Sequence, residues 1–357
     1  MTTAYFVVDP DVRNASAPPP ELYINPDWYS QIIDGAWRTG WQWLVPVIGQ
    51  GRSTDPSAVP IDLSGEPLVL TRDDAGNEHL LSNVCTHRGA LLVDGSCSVR
   101  QLRCPYHART FDLQGRARHS PGFADTSFPE ERDHLPRASL AQFGPWRFGS
   151  VAPALSFETW TQAMTKHLDW FDWSRLVHRE SGHRVHEIDV NWALYVENYL
   201  EGLHIPFVHP GLNDLFAPGT YRTELLPHGA LQMGLARDGA PAHEPPAGAL
   251  DHGSRVAAYY IWLFPGTMLN IYPWGVSMNQ VEPVEPTKTR VHYRTWVLDD
   301  ADRDPDIDTV EDEDQAIVQR VQRAMGSTLY RGGRYSPTEE QGSHHFHWLL
   351  SNVLQPS

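Results

Sequence analysis

The chain has 357 residues, of which 41% are hydrophobic and 20% charged, a balance typical of a globular protein with a sizeable core. This length favours two domains. The formal net charge of −16 argues against nucleic acids and anionic membrane surfaces as partners, since both attract Lys- and Arg-rich surfaces.

The N-terminus has no basic segment followed by an apolar core, so the sequence indicates no signal peptide. No apolar run approaches the roughly 20 residues of a transmembrane helix. We therefore expect a cytoplasmic protein. Three cysteines are too few for a disulfide scaffold, and in the cytoplasm two of them are better interpreted as ligands than as a bridge.

The first predicted elements are a polyproline-like lead-in at residues 15–20 and a short helix near residues 25–37. From Trp41 to about Ala154 short β-type runs alternate with turns, for example at residues 73–77. This pattern predicts a small antiparallel β domain. We place it at residues 39–155, after an N-terminal segment of residues 1–38.

Residues 156–357 predict a second domain of the α+β class, an antiparallel sheet with helices. Strand candidates lie between residues 255 and 298, and a Pro/Gly-rich stretch at 239–254 predicts a mobile loop. Helical patterns cover four segments: residues 157–171, 191–207, 310–325 and 339–354.

Two pairs of metal-ligand residues lie in the first domain: Cys85 with His87 and, after 16 intervening residues, Cys104 with His107. A Cys2His2 set can bind zinc. Zinc fingers, however, place both cysteines before both histidines. The alternating order favours two loops around a dinuclear cluster, each loop giving one sulfur and one nitrogen to different irons.

The segments CTHRG and CPYH resemble the Rieske [2Fe–2S] signature, in which two histidines replace two cysteines on one iron. Relatives usually have Gly and then an aromatic residue after the second histidine, where this chain has Ala108 and Arg109. Cys97 has no partner at motif spacing, and we interpret it as a small buried or semi-buried residue. The loops therefore lack a disulfide link, as in the low-potential Rieske proteins of oxygenases.

A second constellation comprises Glu201, His204 and His209. On a helix Glu201 and His204 share a face, whereas the two histidines lie roughly 140° apart. Pro206 removes the N–H that would bond the Gly202 carbonyl, so we predict a helix that bulges or ends there. Two histidines and one carboxylate form the facial triad of non-haem Fe(II) oxygenases.

The acidic stretch at residues 302–314 offers eight candidates for the third ligand. Asp314 falls on the apolar stripe of the predicted helix, Asp312 points nearly opposite, and Glu311 and Glu313 lie at the margins. We predict Asp314 as the ligand and residues 302–308 as a solvated face. The stripe itself consists of Val310, Ile317, Val318 and Val321.

The second constellation, combined with the first, resembles the catalytic (alpha) subunit of Rieske non-haem iron oxygenases, the aromatic-ring-hydroxylating dioxygenase superfamily. The resemblance implies a mononuclear Fe(II) on His204, His209 and Asp314, with Asn198 also in the site. It implies mono- or dioxygenation with O2, hydroxylating or demethylating a small organic substrate. Electrons come from NAD(P)H through a separate reductase and in some cases a ferredoxin. The matching residues are Asn191-Trp192, Glu197-Asn198, Glu201, His204, His209 and Glu313-Asp314.

The same resemblance implies a trimer-based assembly, because the two centres of one subunit are too far apart for electron transfer in this family. His107 of one chain would meet Glu201 of its neighbour, and Glu201 would in turn hold His204. Many relatives have Asp at this position, whereas some that act on quaternary ammonium compounds resemble this chain in having Glu.

The substrate is not readable from the sequence. Aromatic residues could hold a quaternary ammonium by cation–π attraction or line a pocket for an aromatic ring. The weak candidates for substrate contact are Tyr260, Trp262, Trp274 and Met278. The alternatives are a pure electron-transfer Rieske protein, a zinc-stabilised protein, or an oxygenase fold that has lost its mononuclear iron. For His344, His345 and His347 we favour a structural role over a further metal site.

Overall fold

The structure is a computed structural model that describes residues 5–45, 55–298 and 308–355. These residues divide into two compact units. One is Arg38–Ala154; the other joins the N-terminal segment up to Trp37 with Leu155 and all that follows. Of the predicted solvated acidic face at 302–308, residues 302–307 lie outside the described part.

In its described residues, 38–45 and 55–154, the smaller unit contains ten short strands in three antiparallel sheets, ordered β4-β3-β2-β5, β6-β7-β8 and β1-β10-β9. The predicted turn at residues 73–77 joins β3 to β4, and the Asp73 carboxylate accepts the N–H groups of Ala75 and Asn77. The strands are β1 (Gln42–Trp43), β2 (Ser57–Leu63), β3 (Glu66–Arg72), β4 (Glu78–Ser82), β5 (Cys97–Ser98), β6 (Leu102–Arg103), β7 (Thr110–Phe111), β8 (Ala117–His119), β9 (Ser139–Phe143) and β10 (Trp146–Ser150). A 3-10 turn spans Glu131–Asp133.

The larger unit is built on a seven-stranded antiparallel sheet with the order β11-β17-β16-β15-β14-β13-β12. Its strands are β11 (Leu176–Ile188), β12 (Arg222–Leu226), β13 (Gly229–Leu235), β14 (Val256–Leu263), β15 (Thr267–Tyr272), β16 (Gly275–Glu285) and β17 (Lys288–Leu298). Its helices are α1 (Glu21–Ile24), α2 (Pro26–Ile32), α3 (Phe157–His167), α4 (Trp192–Tyr199), α5 (Ile205–Val208), α6 (Pro210–Asn213), α7 (Asp308–Ala324) and α8 (Gln341–Val353). A π-helical turn (Ile33–Trp37) continues from α2, and a 3-10 turn (Trp173–Arg175) precedes β11. The predicted α+β class, with two antiparallel parts, is confirmed.

Helix α4 lies in the main core of this unit. Trp192 is fully buried and meets the rings of Trp37 and Phe346 edge-on, with centroids 5.1 and 5.5 Å away. Truncation of such a side chain typically costs about 3–5 kcal/mol. The core therefore fixes α4, the helix that leads into the second constellation.

Two local predictions differ from the structure. The helix predicted over residues 191–207 ends at Tyr199, and Pro206 lies at the start of α5 instead of ending a longer helix. Proline is well tolerated in the first turn of a helix, where its missing N–H has no partner to lose. In the loop at 239–254, His243 and Asp251 are buried, so the loop is anchored at two points.

No helix among the described residues is long and apolar enough to cross a membrane.

Candidate iron centres

The two Cys-His loops of the smaller unit are folded alike. In the first, Cys85 N–H donates to the Ala90 carbonyl over 2.8 Å and its own carbonyl accepts from Gly89 N–H over 3.0 Å. In the second, Cys104 makes the equivalent bonds to Arg109 and Ala108, at 2.8 and 3.1 Å. Each cysteine thus begins a tight turn that presents the following histidine.

The fourth residue after each cysteine has a left-handed backbone, with φ of +71° at Gly89 and +58° at Ala108. Glycine adopts this region freely, whereas a Cβ makes it unfavourable. This explains why relatives have Gly where this chain has Ala108. The turn is kept, at a cost in backbone strain.

The four candidate ligands of the cluster converge. The buried thiols of Cys85 and Cys104 are close enough for each to shift the pKa of the other, and the His87 and His107 rings lie 4.8 Å apart. Nδ1 of His87 is buried and has no hydrogen-bond partner among the described residues. Two thiols, two imidazoles and this unpaired nitrogen fit a [2Fe–2S] group held by both loops.

The electrostatics of the loops suit thiolate ligands. Burial opposes ionisation of Cys104, but N–H groups of His107 and Tyr106 outweigh it and lower the pKa of this thiol. Burial raises the pKa of Cys85, and the neighbouring Cys104 thiol raises it further. Cys97 is exposed on β5, so its interpretation as a buried or semi-buried residue was wrong: its strand pairs only briefly at the edge of a sheet.

In the larger unit, the turn between α4 and α5 brings the second constellation together. Single donor atoms of His204, His209 and Asp314 lie within 4.8 Å of one another. Nε2 of His209 is 2.8 Å from Asp314 Oδ1, and Nε2 of His204 is 3.7 Å from the same oxygen. Two imidazoles and one carboxylate facing a common point suit an iron site with open positions.

Each of these three side chains is held by a second group. Glu201 lies 2.5 Å from Nδ1 of His204 and also accepts its backbone N–H. Glu313 lies 2.7 Å from Nδ1 of His209. Asn198 on α4 donates from Nδ2 to Asp314 Oδ1. With both Nδ1 atoms occupied, both Nε2 atoms are left for a metal.

The site is anionic enough to attract a cation. His209 is 1% exposed, and burial disfavours its charged form, yet the carboxylates of Asp314 and Glu313 raise its pKa. A divalent ion would replace that proton. The donor chemistry therefore fits the iron that the sequence predicts.

Sequence reasoning missed two of the acids on α7. Glu313 was placed at the margin of the apolar stripe, although it contacts His209. Glu311 is buried and accepts the Tyr195 hydroxyl, and burial raises its pKa to about 7. Both residues lie within one helical turn of Asp314. Their closeness to a predicted ligand indicates a place in the site, which helical periodicity alone does not show.

The C-terminal histidines lie in hydrogen-bond networks. Nε2 of His347 is 2.9 Å from Glu197, and its Nδ1 is 2.6 Å from the Tyr335 hydroxyl. His344 and His345 bond backbone carbonyls of Asp9 and Leu226. Since Glu197 precedes Asn198, the first network ties α8 to the helix beside the candidate iron site.

The four candidates for substrate contact do not lie at one place. Tyr260 lies among Tyr199, Tyr221 and Tyr272, next to the α4–α5 turn. Trp274 stacks on Tyr272. The other two lie elsewhere: Trp262 packs against Phe346 in the main core, and Met278 pairs with Leu269 and Arg294 on the opposite face of the sheet from Tyr260.

Residues 157–355 match the family model of the ring hydroxylating alpha subunit (catalytic domain), and residues 45–135 match that of the Rieske [2Fe-2S] domain. Choline monooxygenase of Arabidopsis thaliana is 29% identical, over 97% of this chain and 85% of that protein. The carnitine monooxygenase oxygenase subunit of Escherichia coli K12 is 27% identical, over 82% of each chain.

Among solved structures, the quaternary ammonium Rieske monooxygenase CntA has the same fold, with a TM-score of 0.79 and 22% identity over 99% of this chain and 100% of that chain. The catalytic family model covers more than half of the chain. The chain therefore belongs to the ring-hydroxylating alpha-subunit family, and is a Rieske-type oxygenase that uses a [2Fe–2S] cluster, a mononuclear iron and O2 to hydroxylate or oxidatively demethylate a small organic substrate.

Proposed function

We propose that this oxygenase binds its mononuclear iron through His204, His209 and Asp314, and its cluster through Cys85, His87, Cys104 and His107. The observation that carries the proposal is the convergence of the three donor atoms within 4.8 Å. We assign the cluster to residues 39–155 and catalysis to residues 156–357, with residues 1–38 as the lead-in.

Iron held by these residues would supply the reductive activation of O2. The neighbouring side chains position the three ligands for it. Asn198 orients the Asp314 carboxylate, and Glu201 and Glu313 hold the two imidazoles in the tautomer that leaves Nε2 unprotonated. These contacts direct the three donor atoms toward one point.

We further propose that the enzyme works as a homotrimer or a trimer-based assembly, in which Glu201 bridges His204 and His107 of the neighbouring copy. Beside Glu201, Phe207 is 81% exposed, and Leu203 is also exposed. On the cluster loops, His107 and Tyr106 are exposed. Large apolar side chains in water around both centres support burial of each against a second copy.

A separate reductase, with or without a ferredoxin, would deliver electrons from NAD(P)H, and we place this system in the cytoplasm. The strongly acidic chain favours a reductase or ferredoxin with a basic docking face.

For the substrate we propose a small quaternary ammonium compound. Four tyrosines cluster next to the α4–α5 turn: Tyr199, Tyr221 and Tyr272 all contact Tyr260, with ring centroids 5.9–6.4 Å apart. The Tyr221 ring lies so close to Gly202 that an added Cβ would be 2.6 Å away. Burial raises the pKa of all four, to about 12 for Tyr272, so their rings stay neutral and can face a cation.

The relatives named above act on choline and carnitine, which are quaternary ammonium compounds. The test supplies the purified oxygenase with a Rieske-compatible reductase and NADH, and measures O2 uptake and product with choline, carnitine, a primary diamine and naphthalene. Turnover of a quaternary ammonium compound supports the proposal. Coupled turnover of naphthalene alone would contradict the substrate class while leaving the oxygenase intact.

A further inference from the structure

Arg109 occupies the position after Ala108, where the resemblance leads one to expect an aromatic residue. Its side chain is only 2% exposed, although arginine is seldom fully buried without partners. Arg109 is the last residue of the second ligand loop, and its carbonyl accepts the Cys104 N–H. An arginine buried here needs compensating contacts.

The guanidinium finds such contacts on three segments. It donates to Thr86 in the first ligand loop over 3.2 Å, to Ser120 over 3.2 Å and to Asp133 over 3.0 Å. Thr86 in turn donates to the Asp133 carbonyl over 2.8 Å. One side chain of the second loop thereby ties the first loop to the segment that follows β8.

Two aromatic rings enclose the same group. The guanidinium carbon lies 4.9 Å from the ring centroids of both Phe123 and Phe128. Phe123 also meets the His87 ring edge-on, with centroids 5.6 Å apart. The guanidinium is thus desolvated, and the Phe123 ring contacts both it and His87, a candidate cluster ligand.

We propose that Arg109 is a positioning residue of the cluster: it links the two ligand loops in place of a disulfide, and its buried charge raises the cluster's reduction potential. The inference rests on the proposed cluster ligands. A buried cation favours the more negative, reduced state, and nearby charge is one of the factors that set the potential of such clusters. Asp133 offsets part of this charge, but it also accepts the Glu130 N–H.

The experiment compares Arg109→Met and Arg109→Lys with the wild-type chain, using redox titration followed by EPR and the rate of loss of visible absorbance. Arg103→Met removes an exposed arginine of the same hairpin and serves as the matched control. Arg109→Met should titrate at a lower potential than wild type and Arg103→Met. Arg109→Lys keeps the charge, so the reduction potential of its cluster should stay near that of wild type. It lacks the planar guanidinium that links the loops, so Arg109→Lys and Arg109→Met should both lose the cluster faster than wild type.

An Arg109→Met chain with the wild-type potential and cluster lifetime would overturn the inference. If Arg109→Met assembles no cluster, Arg109→Lys provides the test. Faster cluster loss from Arg109→Lys than from wild type supports the link between the loops, and an equal cluster lifetime overturns it. If the wild-type chain itself shows no Rieske spectrum, the proposed cluster ligands fail instead, before any variant is compared.

Discussion

Nδ1 of His209 lies 2.7 Å from a carboxylate oxygen of Glu313, while its Nε2 lies 2.8 Å from Asp314. Two consecutive residues of α7 therefore hold both ends of one fully buried imidazole. Glu201, in the turn after α4, contacts Nδ1 of His204 in the same way as Glu313 contacts that of His209.

Glu313→Ala should weaken binding of Fe(II) by about 10- to 100-fold, the usual effect of removing a partner of a metal-bound histidine. Glu313→Gln should lose less, because an amide oxygen still accepts the Nδ1 proton. Chelator competition on the full chain measures the affinity without turnover. Asp312→Asn removes an exposed carboxylate of the same turn and should match wild type. Equal affinities for Glu313→Ala and Asp312→Asn would show that the contact does not matter for the metal.

The sequence predicts the two metal-ligand sets because their residue types and spacings are specific, and the strand and helix patterns predicted the fold class. The path of the chain between Glu201 and His209 was less predictable. Pro206 was expected to break a helix, but the helix already ends at Tyr199, and the half-buried Tyr221 ring leaves no room for a Cβ at Gly202. The role of Glu313 depends on the position of α7 against His209, which lies 104 residues away in the chain. Helical periodicity carries no such information.

Ala108→Gly should stabilise the smaller unit by about 1 kcal/mol, because φ of +58° is unfavourable for a residue with a Cβ. Denaturation of the holoprotein, followed by cluster absorbance, measures the change. Ala90→Gly, in the first loop but without a left-handed backbone, should not stabilise. A destabilised Ala108→Gly chain would mean that the alanine methyl contributes more through packing than it costs in strain.

Phe207→Asp should shift the protein from trimers toward monomers, since a charge would replace an 81% exposed apolar ring beside the proposed bridge. Light scattering gives the mass, and metal analysis should show both centres retained. Leu329→Asp changes an even more exposed apolar residue of another segment and should leave the assembly intact. A trimer that persists in Phe207→Asp would place the interface elsewhere.

Stability should fall as the pH drops from about 6.5 to about 4, in part because of His243. Burial among Trp170, Phe171 and Tyr259 lowers the pKa of His243 to about 4. As the pH falls, His243 is protonated in the unfolded chain before it is protonated in the folded one. Its contribution to the free energy of unfolding is therefore complete above pH 6.5, and up to about 3 kcal/mol is lost as the pH falls to 4. His243→Phe should flatten this part of a urea-denaturation profile against pH. An unchanged slope would assign the acid sensitivity to other groups.

The most direct test of the central claim is an anaerobic iron and sulfide count of the wild-type chain and of Asp314→Ala, with EPR spectra of the reduced proteins. The proposed ligands predict about three irons and two sulfides per wild-type chain, and about two irons with an unchanged Rieske signal in the variant. Zinc in place of iron, or an Asp314→Ala chain that keeps all its iron, would contradict the assignment of these sites.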